Sequence, residues 1–277
     1  MEWQKLKNII ILILLVVNGF LLVLAGSRRE EAESYERTAL EQTVQVLEKG
    51  GIQVDVNAVA SAEGLTAMAV DRDLDREAKM VRALLDEEVE GGNRGGGLYL
   101  YRGALGEVSV RPGGELTAEF QEDKRWEADR PEEHAAGLLK KMGVEGTQIG
   151  LSEEDGETRV RFRQNWNGTA VFSCELEFTY RDGMLRTLRG SQIPASGGTA
   201  EAGQVLTLPT ALMRFSEEVG AAGDVCSAIR SMEAGYQGTA QSLSGGVRLS
   251  PVWLVSTDTA EYYLDCITGS LTRLTDQ

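Results

Sequence analysis

The chain has 277 residues, 42% of them hydrophobic, with 28 basic and 43 acidic side chains and a net charge of −15. Its length suits one or two modest domains. The acidic balance excludes a nucleic-acid binder, which needs clustered Lys and Arg to neutralise phosphate, and sets the bulk of the chain against anionic lipid headgroups.

Residues 9–25 are apolar except for Asn18 and Gly19, with Lys5 and Lys7 before them and Arg28 and Arg29 after. About 17 to 25 apolar residues span bilayer hydrocarbon, so a transmembrane helix over residues 9–26 is expected. A cleaved signal peptide and a buried core helix are the alternatives. Lys and Arg nearly tie across the span, but a long C-terminal part translocates regardless of charge. That favours a cell-membrane protein with residues 1–8 cytoplasmic and the rest extracytoplasmic. Asn18 and Gly19 would give the span a contact face for other membrane helices, through an amide and a close backbone approach.

Residues 27–37 are charged and read as a stalk or helix start. Leu40, Val44 and Leu47 then recur at helical spacing, and Gly50-Gly51 supply a stop. Residues 52–56 and 65–70 read as short strands. Asp71 and Asp73 are caps for a helix through Ala78, Val81, Leu84 and Leu85, ending at Gly91-Gly92 and a loop over 93–97. Strand-like runs at 98–101, 107–110 and 115–120, punctuated by glycine, predict a meander.

The pattern returns twice. Pro131 opens a helix through Ala135, Leu138, Leu139 and Met142. Strand-like runs at 157–166, 169–180 and 184–189 follow, with hairpin turns at Asn167-Gly168 and Arg181-Asp182-Gly183. A third helix over 209–219 precedes runs at 226–236, 248–257 and 261–267. The expected fold is α+β: a single N-terminal transmembrane helix followed by repeated helix-plus-three-stranded antiparallel sheet units. Its parts are a membrane-proximal region at 27–127 and a C-terminal domain at 128–277 with two such units.

Few residues suggest chemistry. The only histidine, His134, stands in a Glu132-Glu133-His134 run and reads as solvated, against a Ser-His-Asp triad or a zinc site. The glycine-rich stretch 91–97 lacks the Lys-Ser/Thr of a phosphate loop. The acidic run 153–157 lacks EF-hand order and reads as a turn. Asn167-Gly168-Thr169 matches a glycosylation acceptor, but the hairpin turn explains its flanks. Cys174, Cys226 and Cys266 are odd in number and widely spaced, so they form no disulfide framework. Cys174 reads as a small core residue, and a Cys226–Cys266 pair stays open. No catalytic residue, cofactor or metal ligand is assigned, and a hydrolase using paired carboxylates is the weakest reading.

Two stretches carry a family resemblance. One is the start, Met1-Glu2-Trp3-Gln4-Lys5-Leu6-Lys7, running into the apolar segment with Asn18 and Phe20. The other is the end, with Pro251, Trp253, Tyr262, Tyr263, Cys266 and Gly269. Together they resemble the YycI (WalI) family of membrane-anchored regulators of the WalK–WalR (YycG–YycF) two-component system of Gram-positive bacteria. The tail also resembles PepSY-type modules. The resemblance implies a non-catalytic extracytoplasmic regulator of a sensor histidine kinase, working with a YycH-like partner and through membrane helices. The alternative is a PepSY-like binding or peptidase-inhibitory module. Under the regulator reading Pro251, Trp253, Tyr262 and Tyr263 are structural, packing the terminal sheet, whereas the PepSY-like alternative puts function in that sheet.

Overall fold

The computed structural model describes residues 2–86, 88–193, 195, 197–241 and 245–274. It opens with a helix of 48 residues, α1 (Glu2–Lys49). The apolar run passes without a break into Arg28, Arg29, Glu30 and Glu31 of the same helix. Among the described residues no helix is long and apolar enough to cross a membrane. This overturns the expected transmembrane span, the single-pass placement drawn from it and the fold class that began with it. Physically, the run is one part of a helix whose continuation is charged, not a bounded span. On that first part Ile11, Leu14, Leu15, Val17 and Phe20 are exposed. At the far end Val44 and Leu47 are buried.

The remaining elements alternate short helices with runs of strands. They are β1 (Gln53–Val54), β2 (Met68–Val70), α2 (Leu74–Leu85), β3 (Glu90–Asn93), β4 (Tyr99–Gly103), β5 (Gly106–Val110) and β6 (Glu115–Phe120). Next come α3 (Pro131–Lys141), β7 (Gly146–Glu154), β8 (Glu157–Trp166), β9 (Thr169–Arg181), β10 (Met184–Ser191) and β11 (Thr199–Ala200). The chain finishes with α4 (Leu208–Ala222), β12 (Ala228–Ala240), β13 (Val247–Thr257), β14 (Glu261–Asp265) and β15 (Leu271–Leu274).

Local chemistry sets many of these boundaries. Asp73 caps α2, its Oδ1 accepting from the Arg76 N–H at 2.9 Å. Pro131 sits in the first turn of α3. Gly223, left-handed at φ 75°, ends α4. Asp155-Gly156, Asn167-Gly168 and Asp182-Gly183 all have positive φ, the condition for a two-residue hairpin whose twist matches its strands.

The expected three-stranded units are corrected in two ways. Each of α2, α3 and α4 is followed by four main strands, and the strands join in one mixed sheet of 15. The first two units form an antiparallel run in the order β7-β8-β9-β10-β6-β5-β4-β3, meeting last strand to last strand at β10 and β6. Side chains of α2 and α3 share a core with Val108, Leu116, Phe178, Leu185 and Leu188 of that run. The third unit pairs β12, β13, β14 and β15 in sequence, with β2 added on β13 and β1 running parallel to β12. Leu47 of α1 and Leu212 and Phe215 of α4 pack there with Trp253 and Tyr262. The two parts of the sheet pair through one parallel bridge, Tyr236 with Val171, beside which the Gly238 N–H donates to the Ser173 hydroxyl. A third core, including Val70, Trp166, Cys174 and Ile193, fills the seam.

Candidate functional site

The helices cover one face of the β7-to-β3 run and leave the other to solvent. On β9, Phe178 and Tyr180 point into the core while Glu177, Thr179 and Arg181 alternate to the outer face. On β8, Val160 and Phe162 are buried, which turns Arg159 and Arg161 outward. Thr187 of β10 lies directly opposite Thr179, so two short side chains meet at the middle of the outer face. Longer side chains stand around them. The result is an open groove of about 710 Å³ lined by Arg159, Arg181, Arg186, Arg189, Glu122, Glu157, Glu177, Thr179 and Thr187.

Four arginines converge there, in a chain whose net charge is −15. Arg159 donates from Nη2 to Glu157 Oε2 at 3.0 Å, and Arg181 donates to the other oxygen of the same carboxylate. Hydrogen bonds from those two guanidinium groups hold the Glu157 carboxyl below its ordinary value, so it stays ionised. Arg186 pairs with Glu122 at 2.8 Å. Arg189 lies 3.8 Å from Glu119 Oε1, too far for a hydrogen bond. In strand register Glu177 stands between Arg161 on β8 and Arg189 on β10. A second depression of about 420 Å³ lies beside the groove, bordered by Arg102, Glu107 and Glu119, the carboxylate that Arg189 approaches.

His134 lies on the other side of the sheet. It is half-buried, not solvated as its charged neighbours suggested, because α3 turns it inward onto β9. Its Nδ1 is 2.9 Å from the Tyr180 hydroxyl, and the ring packs edge-on to Trp126 and Tyr180. Burial and then the Lys141 charge lower its pKa, while burial raises that of Tyr180.

The residues singled out from sequence fall elsewhere. Asn18 and Gly19 are exposed on α1, with nothing within 4 Å of a Cβ built on Gly19. Pro251 and Trp253 are buried in β13, and the Trp253 indole N–H donates to the Ala60 carbonyl at 2.9 Å. Tyr262 is buried edge-on against Phe215, with its hydroxyl 2.9 Å from Asp224 Oδ2. Tyr263 faces the opposite way and stacks on Phe172. All three cysteines are free thiols, and burial pushes Cys174 up to about 12. The acidic run 153–157 is the β7–β8 turn, and among the described residues no group of His, Cys, Asp and Glu is placed to hold a metal.

Of the four groove arginines only Arg159 stands in a local pattern of the sequence. Arg159, Arg161 and Arg163 alternate with Val160 and Phe162, a basic stripe in an acidic chain. The pairing of β10 with β6, which sets Glu119 opposite Thr187 of the groove floor, is long-range and leaves no local signal.

No family model matches the chain, so the resemblance of its two ends to the YycI family gains nothing from that comparison. No curated protein matches it either. Among solved structures the chain is similar to an uncharacterised protein from Eubacterium rectale ATCC 33656. The TM-score is 0.49 at 12% identity, over 81% of this chain and 90% of that one. It is also similar to the Bacillus megaterium YpeB C-terminal domain, with a TM-score of 0.37 at 12% identity over 75% of this chain and 100% of that one.

Proposed function

We propose that the chain is a non-catalytic binding module of the PepSY-like kind, which holds a protein partner against the outer face of its long sheet. One observation carries the reading. The groove is lined by Arg, Glu and Thr, with neither histidine nor cysteine, while the only histidine is tied to Tyr180 on the far side. A carboxyl serving as general acid needs a raised pKa, and Glu157 has the opposite. The groove therefore suits recognition better than turnover.

A photo-crosslinking side chain at Thr179 tests this in the cell of origin, with one at Glu233, exposed on β12, as the control. A discrete protein adduct from Thr179 but not from Glu233 is the expected result. Equal labelling from both sites, or turnover of peptide or glycan substrates by the purified chain, would sink the reading. The YycI resemblance nominates a WalK-type histidine kinase and a YycH-like protein as the first partners to seek among the adducts.

A further inference from the structure

We propose that the groove over Thr179 and Thr187 is a site for an acidic peptide, an extended segment of the partner carrying Asp or Glu at alternate positions. The proposal rests on the binding-module reading and adds the chemistry of what is bound.

The starting point is an imbalance of donors and acceptors. Each guanidinium offers five N–H donors and no acceptor. Against four such groups the groove sets three carboxylates, and both oxygens of Glu157 are already taken by Arg159 and Arg181. Arg189 approaches Glu119 without hydrogen-bond contact. Arg181 and Arg189 keep 61% and 62% of their side-chain surface exposed, so their donors face the solvent the ligand would displace. The missing partner is acceptor-only and flat enough for a two-pronged guanidinium contact, which describes a carboxylate.

Shape supports an extended chain. The floor is made of two threonines in register on adjacent strands, so it is low and narrow. The smaller depression, bordered by Glu119 opposite Thr187 in register, continues it toward β4 and β5. Alternate side chains of an extended peptide fall on one face about 6.5 to 7 Å apart, a spacing that lets successive carboxylates meet arginines from different strands. Long anionic polymers are disfavoured, because the chain as a whole carries −15 and repels them at long range. A short segment within a Debye length, about 8 Å at physiological salt, feels mainly the local arginines.

The test titrates the full chain into three fluorescein-labelled ten-residue peptides: alternating Glu and Ala, the same with Gln for Glu, and the same with Lys. The Glu peptide is expected to bind, at least tenfold tighter than the other two and severalfold more weakly at about 300 than at 50 mM NaCl. Arg159→Gln with Arg189→Gln should weaken it at least tenfold with thermal unfolding unchanged. Thr187→Trp, which fills the floor and leaves every charge in place, should do the same. Equal binding of the Gln peptide, no binding of the Glu peptide, or indifference to both sets of variants would overturn the proposal. So would displacement of the Glu peptide by a phosphoserine peptide or heparin at a hundredfold lower concentration, which would mark a phosphate or sulfate site. If the Glu peptide fails while Thr179 still crosslinks one protein, the ligand class is wrong and the binding-module reading stands. If both fail, that reading goes too.

Discussion

The Arg72 guanidinium lies 2.7 Å from the Glu77 carboxylate, with the two side chains 5% and 0% exposed. Taking both charges out of water is costly, and the surroundings offset that cost by satisfying them. Arg72 Nη1 donates to the Gly97 carbonyl at 2.6 Å, the guanidinium lies 4.7 Å over the Tyr99 ring, and the Tyr101 hydroxyl donates to Glu77 Oε1 at 2.9 Å. Burial and then the Glu77 charge raise the Tyr101 pKa, keeping that hydroxyl a donor. A Cβ at Gly245 would meet Arg72 Cδ at 2.7 Å, so the loop before β13 closes over the same side chain. One residue thereby ties the β2–α2 junction to both parts of the sheet.

Removing one member of this pair strands the other. Arg72→Ala is expected to cost about 3 to 5 kcal/mol, read from urea denaturation midpoints at pH 7. Arg72→Met combined with Glu77→Leu should recover most of it, because two apolar side chains leave no buried charge behind. A loss below about 1 kcal/mol for Arg72→Ala would mean that the pair is hydrated in solution.

His134 makes stability depend on pH near neutrality. Its pKa is lowered in the folded state, first by burial and then by Lys141, so the unfolded chain binds the proton more readily. Stability is therefore full above the ordinary histidine value of about 6.5 and falls as the pH drops through the lower folded-state value. Among its neighbours Trp126 carries no titrating group, and Tyr180, raised by burial, stays neutral throughout. Thermal melts between pH 7.5 and 5 should show wild type losing stability in this window and His134→Gln losing less. Parallel curves would remove His134 as the cause.

These two sites show what the sequence could and could not supply. Asp73 as a cap, Pro131 as a helix start and Asn167-Gly168 as a turn are local chemistry, and each is where its residue type places it. Strand β7 escaped notice because Thr147, Gln148, Gly150 and Leu151 show no alternation, and an edge strand exposed on both faces needs none. Gly91 and Gly92 read as a stop yet lie within β3, where a Cβ at Gly91 would come within 2.6 Å of the Leu100 carbonyl oxygen. His134 turned inward because Trp126, on the turn before α3, and Tyr180, distant in sequence, form an aromatic wall beside α3. The apolar run at the N-terminus suggested a span; the spacing of Leu40, Val44 and Leu47 and the stop at Gly50-Gly51 placed the helix end, but not the continuity of that helix with the apolar run. The arginine groove lies on β8, β9 and β10, whose hairpins were legible, and only its wall at Glu122 depended on β6 and β10 meeting, a contact no short window of sequence contains.

Glycines offer a contrast of sign. Gly190 in β10 has φ 143°, and an added Cβ would stand 1.9 Å from the Glu175 carbonyl oxygen; Gly106, at φ 149°, would meet Glu119 O at 2.1 Å. Alanine at either position is expected to cost at least about 1 to 3 kcal/mol, since backbone and neighbour must both move. Gly137 lies in α3 with nothing within 4 Å of its added Cβ, so alanine there should stabilise by about 1 kcal/mol. Chemical denaturation of the three variants checks the pattern. Three shifts of the same sign would contradict it.

Asp258 supplies an acid-sensitive clamp at the other end of the molecule. Its carboxylate accepts from the Ser227 hydroxyl at 2.6 Å, the Ser227 N–H at 3.0 Å and the Ala228 N–H at 3.1 Å, pinning the start of β12 to the β13–β14 turn. Those bonds, the Ser227 hydroxyl first, lower its pKa to about 2. A depressed carboxylate contributes stability that is fully present above its ordinary value of about 3.9 and disappears as the pH falls through the folded-state value. Between about pH 4 and 2 the wild-type melting temperature should therefore fall more steeply than that of Asp258→Asn. At pH 7 the variant should already be the less stable of the two, because a neutral amide cannot accept all three bonds as well and places an NH₂ against one of these donors. Equal melting temperatures at pH 7, or parallel acid profiles, would show that solvent replaces the clamp without loss.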